Sequence, residues 1–290
     1  MKQRFKTLKK IVSMYLKKSG KHDIFGLCAE MGFYLLNTLF PFVLLLFVIA
    51  TNISDRMQGL LLNLIEVLPK DMEAMIEELL TSFRGSMPII ITASVLALWC
   101  TSNVISTLTK ALNRFYGVKE TRSFLKQRGM FLLYAVAIII LIVLSFALII
   151  FGEGTQYLFK DIDLLSFFHI EKVWNYSRYI SLILVIFTAI TIMFKHLPNK
   201  QLSIKAVAAG GALTTIAWCI TSIGFSFYVN SFGRYHLIYG SLTSIIILTT
   251  WVYLSSFVIL LGGSINAFWY RMRVAKKLNK VRKLDLEEPM

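Results

Sequence analysis

Glu30, Tyr34, Asn37 and Pro41 stand at i, i+4, i+7 and i+11 in the stretch EMGFYLLNTLFPFVLLLF (30–47). At ~100° per residue a helix places them within about 60° of one another, on one face. Pro41 lacks an N–H and displaces the carbonyl four residues back, which belongs to Asn37. Asn37 therefore offers a side-chain amide and a freed backbone acceptor at one level. Such backbone is stable at membrane depth only against protein or a wet cavity. Two readings stay open: a wall of an internal polar cavity, or a kink sealed by a neighbouring helix with Asn37 bonding across.

The same spacing returns in Asn103, Thr107, Lys110 and Arg114. A face ending in two cations is a natural partner for Glu30, and it suits an anionic headgroup or substrate. The alternative is flanking charge that snorkels to lipid phosphate. Further on, Gly210 and Gly211, then Gly262, Gly263 and Asn266, are small or polar positions at helical spacing. They are expected to let helices pack closely.

Other chemistries lack their residues. Cys28, Cys100 and Cys219 are far apart, with no CxxC or Cys/His cluster, so neither a disulfide framework nor a metal site is expected. No Walker motif is present, and no cofactor is expected. Phosphodiester hydrolysis wants clustered carboxylates or an acid–base pair near its substrate. Asp23, Glu30, Glu120, Asp285, Glu287 and Glu288 are scattered, and His22 and His196 have no evident partner. Specific nucleic-acid recognition is not expected.

The elements that must position these residues follow from composition. The chain has 290 residues, 56% of them hydrophobic and only 16% charged, with a mean hydropathy of +0.66. That is the make-up of a polytopic membrane protein. A spanning helix needs about 20 mostly apolar residues, and six stretches qualify: 31–53, 87–109, 130–152, 178–197, 206–230 and 238–269. Residues 1–30, 110–128, 195–205 and 271–290 hold 24 of the 31 Lys and Arg, which places both termini and the tail in the cytoplasm. The net charge of +15 is thus gathered beside apolar spans, where anionic phospholipid headgroups attract it. The apolar run IVSMYL (11–16) is too short for a cleavable signal.

Two amphipathic segments lie outside the spans. Leu8, Ile11, Val12, Tyr15 and Leu16 form one face in residues 1–20, opposite lysines, which predicts a helix lying on the inner membrane surface. Residues 55–85 carry two apolar faces divided by Pro69, with five acids in 66–78. They predict a helical hairpin on the outer side, since those acids would be costly in hydrocarbon. The expected fold is therefore all-α: one membrane domain of six transmembrane helices with these two appendages.

Three segments together carry a resemblance: FYLLNTLFPFVLLL (33–46), ALNRFYGVKETRSFLKQR (111–128) and YGSLTSIIILTTWVYLSSFVILLGGSINAFW (239–269). In this order they resemble the YihY/BrkB family of bacterial inner-membrane proteins, over residues 20–270. The resemblance implies a polytopic membrane protein of the bacterial cytoplasmic membrane. Members were once labelled ribonuclease BN, a label later regarded as mistaken; others are linked to serum resistance and envelope lipid export. Where members commonly carry Gly-Ala-Glu before the final Asn-Ala, this chain has Ser264 in place of the carboxylate.

The expected function is transport or flipping of an envelope lipid or another amphipathic, anionic compound. A non-transporting scaffold for envelope assembly is the alternative, and a membrane-bound ribonuclease fits worst. A transport role predicts that cysteines placed at 30 and 37 react with a water-soluble maleimide from one side of the membrane. An active protein whose position 37 is unreactive from both sides would rule out a cavity there.

Overall fold

The computed structural model describes residues 23–53, 87–160, 170–231 and 242–287. They form six helices: α1 (Ile24–Ile53), α2 (Met87–Tyr116), α3 (Phe124–Lys160), α4 (Ile170–His196), α5 (Ile204–Ser231) and α6 (Leu242–Glu287). No strand occurs among the described residues. The chain is thus the expected all-α polytopic bundle. The interfacial helix expected over 1–20, the hairpin over 55–85 and the last residues of the tail lie outside the described residues.

Five helices carry apolar stretches long enough to cross a bilayer: Ile24–Val43, Ile91–Tyr116, Phe124–Ser145, Ile204–Val229 and Thr243–Ala275. In α4 the described apolar stretch, Ile180–His196, is shorter. The whole helix has 27 residues, about 40 Å at 1.5 Å per residue.

Local signals set the helix ends. Asp23 caps α1: its Oδ1 accepts the Gly26 N–H at 3.2 Å and its carbonyl accepts the Leu27 N–H at 3.1 Å. The helix therefore starts at Ile24, before the expected span, and Glu30 sits inside it rather than at its edge. α2 ends on Gly117, whose φ of +67° is one that L side chains rarely adopt. The Val118 N–H reaches the Asn113 carbonyl at 3.0 Å and the Gly117 N–H reaches that of Arg114 at 3.2 Å. This pair of bonds is the Schellman ending, and it satisfies carbonyls the helix leaves open. α6 continues through most of the expected basic tail, to Glu287.

The packed core lies where α1, α3 and α5 begin and where α2, α4 and the apolar part of α6 end. Lys119, Arg122, Lys195, Lys200 and Arg271 gather in the same region, so it is the basic end of the bundle. α2 runs through its middle, against α1, α3 and α6. Ile105, Leu108 and Leu112 of α2 meet Cys28 of α1, Phe131 of α3, Phe194 of α4, Val207 of α5 and Leu260 of α6, all buried. Away from this end α5 and α6 expose Ile220, Ile223, Phe227 and Ile245, as a lipid-facing surface requires.

Glycines set the closest helix approaches. A Cβ on Gly210 would fall 2.6 Å from the Asn266 Cβ, one on Gly262 2.8 Å from the Thr214 Cβ, and one on Gly263 2.7 Å from the Leu112 Cδ2. Gly211 backs onto the Thr191 backbone, where a Cβ would lie 3.4 Å from its Cα. No such conflict exists at Gly129, where nothing lies within 4 Å. Gly210→Ala and Gly262→Ala are expected to lower stability by about 1–3 kcal/mol through overpacking. Gly129→Ala is expected to be neutral or to gain up to ~1 kcal/mol, since alanine favours helix. Thermal unfolding of the three variants in detergent checks the contrast.

Candidate functional site

Glu30 stands six residues after the start of α1 and Lys110 six before the end of α2, each about 9 Å along its helix. The matching depths let the two meet. Glu30 Oε1 accepts from Thr107 Oγ1 at 3.0 Å and from Lys110 Nζ at 3.2 Å. Lys110 remains 63% exposed and Glu30 36%. In water such a pair contributes ~0–1 kcal/mol; within an apolar span each charge depends more on its partner.

The other residues of the first face do not join this contact. Tyr34 is half-buried and packs on the core. Asn37 is exposed, and its Nδ2 donates to the Phe33 carbonyl of its own helix at 3.0 Å. Thr38 does the same toward the Tyr34 carbonyl at 2.8 Å. Short polar side chains reach their own helix carbonyls more readily than a neighbour across lipid. Pro41 is buried.

The second face divides as well. Thr107 and Lys110 turn to Glu30, while Asn103 Oδ1 accepts from Arg128 Nη1 of α3 at 3.1 Å. Lys110 and Arg114 line a cleft of 390 Å³ between α2 and α3, with Ser106 and Thr109 along one side, Gln127 and Phe131 on the other, and Glu120 in its wall. The volume lies within the ~300–1,000 Å³ usual for small-ligand sites.

The connection after α2 contains a polar hub that the spacing argument did not single out. Asn113 Nδ2 donates to Glu120 Oε2 at 2.8 Å, and its Oδ1 accepts the Asn199 N–H at 2.7 Å. Arg122 grips the same carboxylate with Nε at 2.7 Å and Nη2 at 2.8 Å. Its Nη2 also reaches the Leu197 carbonyl at 2.7 Å. Asn199 Nδ2 donates to the Lys119 carbonyl and to Thr121 Oγ1, both at 2.8 Å. The α2–α3 and α4–α5 connections are thereby bound into one unit, and the Arg271 guanidinium of α6 donates to the Phe115 carbonyl. Burial opposes ionisation of Glu120, but the hydrogen bonds from Arg122 and Asn113 outweigh it. Its carboxyl is held below the usual carboxylate range. The sequence signal for this hub was the stretch NRFYG (113–117), a basic last turn followed by glycine, which marks a helix ending.

Asn266 is fully enclosed beside Gly210, and neither amide atom finds a hydrogen-bond partner among the described residues. Ser264 is 7% exposed and donates to the Leu261 carbonyl at 2.8 Å. A carboxylate there would have needed a cation; the hydroxyl is served by its own helix. Among the described residues no three His, Cys, Asp or Glu side chains gather.

The family described as virulence factor BrkB matches residues 15–285. The chain belongs to the BrkB family. It is 30% identical to the putative ribonuclease-like protein YfkH of Bacillus subtilis, over 97% of this chain and 98% of that relative. It is similar to a UPF0761 membrane protein of Vibrio campbellii, 30% identical over 57% of this chain and 50% of the relative. A UPF0761 membrane protein of Pseudoalteromonas translucida is 28% identical over 57% and 52%. No solved structure matches. BrkB proteins are membrane proteins and not an established enzyme family. In this BrkB chain several apolar helices make a multi-pass membrane protein.

Replacing Glu120 with Gln is expected to lower stability by about 1 kcal/mol at neutral pH, since the hydrogen bonds become neutral and one partly buried acceptor is lost. A lowered carboxylate pKa contributes fully above the ordinary carboxylate range and is lost as pH falls through the lowered value. The gap between wild type and Glu120→Gln should therefore close in acid, as read by thermal unfolding across pH.

Proposed function

We propose that this protein moves an anionic amphipathic compound, such as an envelope lipid, across the bacterial cytoplasmic membrane, with both termini inside. The observation that carries this is the α2–α3 cleft, where Lys110 and Arg114 stand together over a volume suited to a headgroup. The basic end then faces the cytoplasm, and the cleft admits its substrate from the inner leaflet. Anionic phospholipid headgroups are natural partners of the surrounding Lys and Arg.

The word ribonuclease in the name of the Bacillus relative is not carried over. Glu30 and Glu120 are each engaged by a cation, and His196 Nδ1 is bonded to the Tyr134 hydroxyl at 2.8 Å. Among the described residues no carboxylate pair is left for general acid–base work. The scaffold alternative has its own support in α1, where Asn37 bonds its own helix and Glu30 is held by Thr107 and Lys110.

Vesicles containing the purified protein and a trace of fluorescent phosphatidylglycerol separate these readings through dithionite quenching of outer-leaflet probe. Transport predicts faster exchange of the anionic lipid than of phosphatidylcholine. The double change Lys110→Gln, Arg114→Gln should slow it by roughly tenfold, the effect of ~1.4 kcal/mol. Exchange no faster than in empty vesicles for the anionic lipids tested would favour the scaffold.

A further inference from the structure

Asn37 is the polar side chain of α1 to which the cleft and the hub assign no role. It stands thirteen residues after the start of the helix, about 20 Å along its axis. That depth is well inside a hydrocarbon core of ~30 Å. α1 packs on α2 and α6, and its opposite side is the exposed stripe Phe25, Ala29, Phe33, Asn37 and Phe40. Phe33 and Phe40 stand about one turn to either side of the amide, 62% and 77% exposed.

Such a face suits acyl chains except at the amide. A carboxamide carries two N–H donors and two acceptor lone pairs. Nδ2 donates to the Phe33 carbonyl at 3.0 Å, and among the described residues Asn37 has no side-chain bond to another helix. Pro41 brings no N–H to the backbone carbonyl of the same residue. A donor and several acceptor sites are therefore turned toward lipid, which offers a partner to neither.

Whatever completes the amide must bring both a donor and an acceptor to this depth. A second copy of the chain does so by symmetry. Two copies in one membrane share their orientation, so a two-fold axis along the membrane normal sets equal residues at equal depth. α1 beside its counterpart then places Asn37 opposite Asn37. A carboxamide is its own complement, each N–H donating to the other's oxygen, and asparagine bonds across membrane helices in this way. Phe33 and Phe40 of both copies pack around the pair and exclude water from it.

We infer that the exposed face of α1 joins two copies of this protein in the membrane, through a reciprocal Asn37 hydrogen bond sealed by Phe33 and Phe40. The inference goes beyond the transport proposal and does not rest on it, since the cleft belongs to α2 and α3.

The test follows self-association of the tagged full-length protein in lipid vesicles, by counting photobleaching steps per particle as protein is diluted into lipid. Wild type should be dimeric. Asn37→Leu should raise the dissociation constant about tenfold, the scale of an interhelical polar contact, and Asn37→Gln should recover part of the association. Asn37→Leu should not lower the thermal stability of the monomer, because Asn37 bonds only its own helix. Monomers throughout, or equal association of wild type and Asn37→Leu, would overturn the proposal. Oxidation in native membranes supplies a second measurement that keeps Asn37 in place, in a chain with Cys28, Cys100 and Cys219 changed to Ala. Phe40→Cys should give a disulfide-linked dimer and Leu133→Cys, 68% exposed on α3, should not. Equal cross-linking at the two positions would mean random collision and sink the interface. Cross-linking of Phe40→Cys to a different protein alone would remove the second copy as its occupant.

Discussion

The Asn113 side chain is the interaction on which the basic end depends. Its amide donates to Glu120 and its carbonyl oxygen receives the Asn199 N–H. Its backbone carbonyl closes the end of α2 through Val118. One residue thus ends a helix, fixes the connection to α3 and anchors the link from α4 to α5. The physical need is plain: connections that leave a membrane core carry backbone groups that water reaches incompletely, and each must find a partner. Arg122 meets the same need for the Leu197 carbonyl. Lys110 and Arg114 stand in the last two turns of α2, the end that these bonds close.

Helix packing around the hub rests on shape rather than on polarity. Gly210, Gly211, Gly262 and Gly263 remove side chains where α5 and α6 approach each other, α2 and α4. In lipid there is little hydrophobic drive between helices, and close contact supplies the attraction instead. Threonine hydroxyls in this region turn to their own helix: Thr214 to the Gly210 carbonyl at 2.7 Å and Thr215 to that of Gly211 at 2.9 Å. Neighbouring helices can then meet across a surface with few exposed donors.

Charge at the basic end is arranged by depth. Glu30 and Lys110 meet at matching distances from their helix ends. Glu120 and Arg122 pair in the connection itself. Arg128 lies beyond both and is held by an amide and an aromatic ring instead of a carboxylate. Cation–π contact and a neutral acceptor stabilise a guanidinium without cancelling its charge.

The all-α bundle was legible in the residues because hydrocarbon imposes a length and a composition on every span, and both show in one dimension. The glycines were legible as small positions at helical spacing, as was the attraction of a basic face for Glu30. Two things were not. Asp23 lengthened α1 backward and so moved Glu30 into the helix. The face Asn103, Thr107, Lys110 and Arg114 split between two neighbours, because α2 packs against both α1 and α3. The sequence by itself determined which stretches enter the membrane and where polar side chains interrupt them, since burial of backbone in lipid leaves only helices available. Which of those side chains meet was decided by tertiary structure alone. Hydrogen bonds such as Asn199 to Asn113 and Arg128 to Asn103 act over about 3 Å, and only the packing of helices distant in the chain sets such distances.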